Sequence, residues 1–170
     1  MDVRTELSYP GARLADVYGL AVDEEFRAAV CVATGALDHD VDVRRSGDGS
    51  TVVAVRRTMP ADVPDFVRRF VGDTIAIVQT ESWAPADASR LRSADLSLQI
   101  TGQPAAMSGA LTLEELADGV RELVRGDLRV SIPFLGKKIE GEIARGILAA
   151  ARKEEQVGRQ WLAASPPHGS

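Results

Sequence analysis

Apolar and polar residues alternate with a period of two along most of the chain, which is typical of β-strands with one buried face. The last such segment places Val120, Val124 and Leu128 on one face and Arg121 and Arg125 on the other. Because each segment has one apolar and one polar side, we expect an antiparallel sheet. The alternation predicts seven strands, at residues 3–9, 36–45, 51–59, 73–83, 94–102, 105–113 and 119–133.

Helical spacing of apolar residues appears in three other regions of the chain. Residues 10–35 predict two short helices in tandem, with Asp23 as the N-cap of the second helix and Gly35 at its end. Residues 62–72 predict a short amphipathic helix between the third and fourth strands, with Asp62 as its N-cap and Gly72 as its end.

A third helical region, residues 134–163, predicts a long C-terminal helix. Ile139, Ile143 and Ile147 repeat every four residues, which gives the helix one apolar face. Gly141 and Gly146 lie inside it, and each costs about 1 kcal/mol of helix stability relative to alanine. We therefore expect these glycines to leave space beside the helix. Residues 164–170, which include two prolines, show no periodicity and predict a disordered tail after a single domain at residues 1–163.

The stretches EEFRAAVCVATGAL, MPADVPDFVRRFVGDTIAIVQTESW and VSIPFLGKKIEGEIA, together with the order of elements, resemble the START-like (SRPBCC) helix-grip superfamily. They are similar to an uncharacterised bacterial branch of it. The resemblance implies an α+β fold of order β-α-α-β6-α, in which a strongly curved antiparallel sheet grips the C-terminal helix. It also implies a ligand space between sheet and helix, and it brings no catalytic residue with it.

The predicted sheet has more apolar surface than one helix with small residues can cover, which indicates a cavity. We expect an apolar or amphipathic small molecule, such as a lipid or polyketide, to bind there without turnover. The short inserted helix would close the cavity as a lid through Phe66 and Phe70. The predicted lining residues are His39, Val41, Gln79, Leu98, Met107, Leu128, Ile139, Ile143 and Ile147.

Two further functions remain open. In an enzyme of the cyclase or hydrolase type, His39 and Glu81 would be the acid/base pair in the same cavity. Alternatively His39 is a core or rim histidine, and Glu81 pairs with an arginine across the sheet. Glu122 is expected near the open end of its strand. A module that binds a protein partner through the inserted helix or a sheet edge is the third hypothesis.

Composition and charge exclude several other kinds of partner and location. The 170 residues include 45% hydrophobic and 26% charged residues, and the net charge of −5 without a basic cluster argues against nucleic acid as a partner. The first ten residues carry no apolar targeting segment, and no apolar run could span a bilayer, so we expect a soluble cytoplasmic protein without stable membrane insertion.

Little in the sequence indicates a metal or cofactor. The lone Cys31 is typical of a small buried helix residue, with a reactive thiolate as the alternative. Asp38, Asp40 and Asp42 lack the glycine and glutamate positions of a calcium loop. Because no phosphate-binding or dinucleotide-binding glycine motif is present, we expect neither a metal nor a cofactor.

Overall fold

A single antiparallel sheet of seven strands forms the body of the molecule. The structure, a computed structural model, describes residues 1–165. The strands are β1 (Asp2–Pro10), β2 (Asp38–Arg45), β3 (Thr51–Pro60), β4 (Thr74–Trp83), β5 (Leu91–Ile100), β6 (Ala105–Leu116) and β7 (Gly119–Val130). Their order in the sheet is β1-β7-β6-β5-β4-β3-β2, and all neighbours are antiparallel. The predicted number of strands and their antiparallel pairing are confirmed.

Four helices complete the fold. They are α1 (Leu14–Ala21), α2 (Glu24–Ala33), α3 (Asp65–Val71) and α4 (Gly136–Ala164). The predicted element order, including the short helix between the third and fourth strands, is confirmed. Helix α4 includes Ala164, the first residue of the predicted tail, and the part of that tail from residue 166 onward lies outside the described residues.

Local chemistry explains the start of α2 and the end of α3. The backbone N–H of Phe26 donates to the carboxylate of Asp23 at 2.7 Å, so the predicted N-cap of α2 is confirmed. Helix α3 ends at Gly72, whose φ of 80° favours glycine. The prediction that Asp62 caps α3 is wrong. The helix begins at Asp65 instead, and the carbonyl of Pro64 accepts its first hydrogen bonds.

Helix α4 crosses the concave face of the sheet and is attached to β1. The Ser8 backbone N–H donates to Glu155 at 2.7 Å, and Arg159 Nε donates to the Ser8 carbonyl at 2.8 Å. Gly158 is buried against the ring of Tyr9. The C-terminal half of α4 therefore lies close to the sheet.

Two apolar clusters lie between the helices and the sheet. The larger one surrounds Leu7, Trp83, Met107 and Leu113, all of which are almost fully buried. The smaller one lies beneath α3 and the start of α4 and is formed by Val67, Ile100, Ala105, Val130 and Ile139. Residues of these clusters line the cavities described next. Across residues 1–165, none of the helices combines the length and hydrophobicity that a membrane span requires.

Candidate functional site

A cavity of about 440 Å³ lies between α4, α3 and one end of the sheet. Most of its wall is apolar. Helix α4 contributes the bare backbone of Gly146, where an added Cβ would meet no atom within 4 Å. The apolar wall consists of Met59, Pro60, Val63, Val67, Phe70, Val71, Ile75, Ile77, Leu98, Ile100, Ala105, Val130, Ile132, Ile139, Ile143, Ile147 and Ala150.

A second, smaller cavity of about 90 Å³ lies further along the same interior and has a more polar wall. The two cavities adjoin because they share the side chains of Thr34, Arg57, Leu98, Ile147 and Ala150. We call the larger space the apolar chamber and the smaller space the polar chamber. Charged and amide side chains from α2, β3, β4, β7 and α4 reach the polar chamber, namely Arg27, Arg57, Gln79, Glu81, Glu122 and Glu154.

Arg27 is the centre of a buried ion network in the polar chamber. Its Nη2 donates to Glu81 Oε1 at 2.5 Å, and its Nη1 donates to Glu154 Oε1 at 3.2 Å. The Gln79 amide donates to Glu81 Oε1 at 2.7 Å, and Trp83 Nε1 donates to Glu81 Oε2 at 3.0 Å. Both oxygens of Glu81 are therefore satisfied inside the core, as a buried carboxylate requires.

Arg57 differs from Arg27 because it has no carboxylate partner among residues 1–165. Its Nη1 and Nη2 both donate to Gln79 Oε1, at 3.2 and 3.1 Å. Burial lowers the pKa of its guanidinium, although the charges of nearby acids, Glu154 and Glu81, raise it. Arg57 remains a cation, since an arginine does not lose its proton under ordinary conditions.

Glu122 is a buried acid without a salt bridge in the described part of the chain. Burial raises its pKa to about 8, and the charges of Glu154 and Glu81 contribute to that rise, against the effects of Arg27 and a hydrogen bond from Tyr9. Burial also raises the pKa of Glu154 and of Tyr9. A pKa of about 8 favours the protonated form of the Glu122 carboxyl at neutral pH. Glu122 is the fourth residue of β7, near one end of the strand as expected, but that end is not open at this position because the side chain is only 8% exposed.

Most of the residues predicted to line a ligand space do line one of the two chambers. Gln79 and Met107 line the polar chamber, Ile139 and Ile143 the apolar chamber, and Leu98 and Ile147 both. Two others pack within the core instead of at a chamber wall. Leu128 is fully buried, and Val41 is partly buried against the same cluster. Of the two predicted lid residues, Phe70 lines the apolar chamber, whereas Phe66 packs beside the smaller apolar cluster.

His39 lies opposite Arg57 on the edge strand β2 and lines an open groove with Asp38, Asp40 and Arg56. Arg57 and Ile77 border both this groove and the apolar chamber, but His39 lines neither chamber. Glu81 lies opposite Val53 of β3, whereas His39 lies opposite Arg57 of the same strand. Val53 and Arg57 are four residues apart. At about 3.3 Å per residue, the separation along the strand is about 13 Å. The structure therefore does not bring His39 and Glu81 together as an acid/base pair.

Three charged residues of the polar chamber are absent from the predicted site, although the sequence carries signals for them. Arg57 continues the inward alternation of Val53 and Val55. Arg27 precedes Cys31 by one helical turn on the same face of α2, and Glu154 follows Ile147 by two turns of α4. Cys31 is buried at the chamber wall, and burial raises the pKa of its thiol. Within residues 1–165, no three His, Cys, Asp or Glu side chains are grouped in a way that could hold a metal ion.

A curved antiparallel sheet closed by a long C-terminal helix over an interior space defines the START-like helix-grip fold class. Within that class, residues 4–162 match the family described as "Protein of unknown function (DUF2505)". The chain belongs to this family. A search of curated proteins found no match to the sequence.

Solved structures with low sequence identity share the fold. A protein from Thermus thermophilus is 18% identical with a TM-score of 0.64, over 97% of this chain and 100% of that one. Norcoclaurine synthase from Thalictrum flavum, in complex with dopamine and hydroxybenzaldehyde, is 14% identical with a TM-score of 0.56, over 98% and 88% of the two chains. A STAR-related lipid transfer protein fragment from Xanthomonas axonopodis is 15% identical with a TM-score of 0.57, over 94% and 84%.

Proposed function

We propose that this protein binds an apolar or amphipathic small molecule, without turning it over, in the space between the sheet and α4. The size and the apolar wall of the apolar chamber are the main observation that supports this proposal. Its volume of about 440 Å³ falls in the range of small-molecule sites, about 300–1,000 Å³. Its wall is mostly aliphatic, so water inside it would find few hydrogen-bond partners, whereas an apolar ligand would be favoured.

The fold comparison supports the same function. One of the similar structures is a lipid transfer protein, and another is an enzyme in complex with dopamine and hydroxybenzaldehyde. We extend only small-molecule binding from these proteins to this chain. The class of ligand is argued from its own chamber.

Helix α3 would act as the lid of the apolar chamber. Val63, Val67 and Phe70 turn toward the chamber, and Phe70 is 42% exposed, so it lies between the ligand space and the solvent. The Gln103 side-chain amide donates to the Phe70 carbonyl at 2.9 Å, which fixes the end of the helix near the loop between β5 and β6. Movement of α3 would open the chamber without separating the strands.

The proposed function can be tested with N-phenylnaphthylamine, an uncharged apolar dye that fluoresces more strongly outside water. We expect the wild-type protein to bind it and Gly146→Phe to bind it poorly, because the added ring would occupy the chamber. Gly141→Phe is the matched control. Gly141 lies on the same helix and also has open space around it, but it does not line the chamber.

Failure of the wild-type protein to bind the dye would contradict the proposal. Equal loss of binding in the two glycine variants would also contradict it, because the dye would then not occupy the chamber. Native mass spectrometry of protein purified without detergent would add the identity of any molecule that the chamber retains.

A catalytic role would rest on the polar chamber. Glu122 is a buried carboxyl near Arg27 and Glu154 with a pKa raised to about 8, and such a group can donate a proton. A cyclase or hydrolase of this kind would use Glu122, since His39 lines a different groove. Glu122→Gln would abolish turnover of an identified substrate and preserve its binding. Unchanged turnover in that variant would remove this alternative.

A further inference from the structure

The polar end of the ligand can be inferred from the place where the two chambers meet. Only two polar side chains, Thr34 and Arg57, line both chambers within residues 1–165. The Thr34 hydroxyl donates to backbone carbonyls of its own helix, those of Val30 and Cys31, both at 3.0 Å. Arg57 is therefore the shared side chain that still has N–H groups to offer a ligand.

Some N–H groups of Arg57 have no hydrogen-bond partner within residues 1–165. A guanidinium carries five N–H groups, and in the described part of the chain Arg57 makes two hydrogen bonds, both to Gln79 Oε1. The acceptor bonded to Arg57 and the carboxylate next to it are already engaged. Gln79 Oε1 accepts twice from Arg57, and the two oxygens of Glu81 accept from Arg27, Gln79 and Trp83. A ligand group at the junction should therefore accept hydrogen bonds and need not donate any.

Formal charges around the junction also limit the ligand. Arg27 and Arg57 contribute two positive charges, and Glu81 and Glu154 contribute two negative charges. Glu122 is a third acid there, and burial raises both its pKa, to about 8, and the pKa of Glu154, so one proton held by these two acids brings the sum to zero. A carboxylate on the ligand would bring an additional negative charge into a buried region that is already neutral, at an electrostatic cost.

We propose that the bound molecule carries an uncharged carbonyl oxygen that accepts hydrogen bonds from Arg57 at the junction, while its apolar body fills the apolar chamber. A carbonyl fits better than a hydroxyl because it has no proton to donate, and the acceptor bonded to Arg57, Gln79 Oε1, already accepts two hydrogen bonds. This inference rests on the proposed function and names its ligand class as apolar ketones, aldehydes or esters.

Three probes of nearly the same shape test the assignment: acetonaphthone, ethylnaphthalene and naphthoate, all substituted at the same ring position. They present a ketone, no oxygen and a carboxylate, respectively. In equilibrium dialysis at neutral pH, we expect the wild-type protein to bind acetonaphthone about tenfold more tightly than either of the others, the range of a hydrogen bond to a charged donor. This comparison needs no variant.

Arg57→Met should remove the preference for the ketone over the hydrocarbon and leave ethylnaphthalene binding nearly unchanged. Arg145→Met is the matched control, because Arg145 also lines the apolar chamber but is paired with Glu142. A direct measurement is the infrared carbonyl stretch of bound acetonaphthone, which should lie at lower frequency in the wild type than in Arg57→Met.

Three kinds of result in these binding experiments would contradict the proposals. Tighter binding of naphthoate than of acetonaphthone would overturn the neutral-carbonyl assignment in favour of an anionic ligand. Equal binding of ketone and hydrocarbon, or a ketone preference that survives in Arg57→Met, would show that Arg57 does not bind the ligand oxygen. If none of the three probes and no N-phenylnaphthylamine binds, the proposed function itself fails.

Discussion

Arg27 on α2 and Glu81 on β4 form an ion pair at 2.5 Å in the interior, with side-chain exposures of 6% and 1%. The pair connects a helix to the middle of the sheet across 54 residues of sequence. Arg27 also binds Glu154 on α4 at 3.2 Å, so one guanidinium joins three elements around the polar chamber. Removing any one of these side chains would leave a buried charge without one of its partners and would lower the free energy of unfolding.

Arg27→Met should therefore destabilise the protein by about 3–5 kcal/mol, because Glu81 and Glu154 would be left as buried acids without a cation. Urea unfolding monitored by Trp fluorescence would measure the change. Arg56→Met is the matched control. Arg56 pairs with Asp40 at 3.3 Å on the sheet surface with both side chains more than half exposed, so its loss should change stability by less than about 1 kcal/mol. Similar losses in the two variants would contradict this account of the core.

The raised pKa of Glu122 predicts a pH-dependent stability. The carboxyl titrates near its ordinary value of 4.5 in the unfolded chain and at about 8 in the folded protein. Between these values unfolding releases one proton from this group, so its contribution to stability is complete below pH 4.5 and is lost as pH rises to about 8. The expected slope is about 1.4 kcal/mol of unfolding free energy per pH unit. Urea unfolding at several pH values would measure it.

Glu122→Gln is the control, since the amide resembles the protonated acid and does not titrate. Glu154, whose pKa is also raised by burial, adds a slope of the same sign in both proteins. The difference between wild type and variant should therefore correspond to about one proton. Parallel stability curves would show that Glu122 is ionised in the folded protein at neutral pH.

Much of the fold could be predicted because each element depends on a local pattern. Strict alternation from Val120 to Val130 determines the faces of β7, and the Asp23 cap determines the start of α2. The start of α3 is harder to place. Its cap does not come from the Asp62 side chain, and Pro64 supplies only a backbone carbonyl. No side-chain pattern marks a start of that kind.

The site is less predictable than the fold, because its chemistry depends on long-range partners. A polar residue on an apolar face, such as Glu81, signals a buried group but does not reveal its partner. An arginine across the sheet is the partner that the sequence favours, and the actual partner lies on α2, at Arg27. The pairing register between strands determines which inward-facing residues reach a chamber. His39 is level with Arg57, near the end of β2, so an inward position in the pattern does not bring it to a chamber wall.

The two phenylalanines of α3 should respond differently to truncation. Phe70 is exposed at the chamber wall, so Phe70→Ala should speed the release of N-phenylnaphthylamine with little change in stability. Phe66 packs beside Val67 and Ile100, so Phe66→Ala should lower the unfolding free energy by about 1–3 kcal/mol. Stopped-flow dye release and urea unfolding would separate the two effects. If Phe70→Ala unfolds as readily as Phe66→Ala, α3 belongs to the core and is not a lid.

Two glycines of α4, Gly158 and Gly141, should respond in opposite directions to substitution by alanine, because only Gly158 is in close contact with another side chain. At Gly158 a Cβ would lie 2.7 Å from Cε1 of the Tyr9 ring, and that ring is only 3% exposed, so it has little room to move. Gly158→Ala should therefore destabilise the protein by about 1–3 kcal/mol, even though alanine favours a helix. Gly141→Ala meets no atom within 4 Å and should stabilise it by up to about 1 kcal/mol. Thermal unfolding of both variants would measure the signs. A stabilising Gly158→Ala would mean that α4 does not approach β1 closely enough to require glycine, and the attachment of the helix to the sheet would need another explanation.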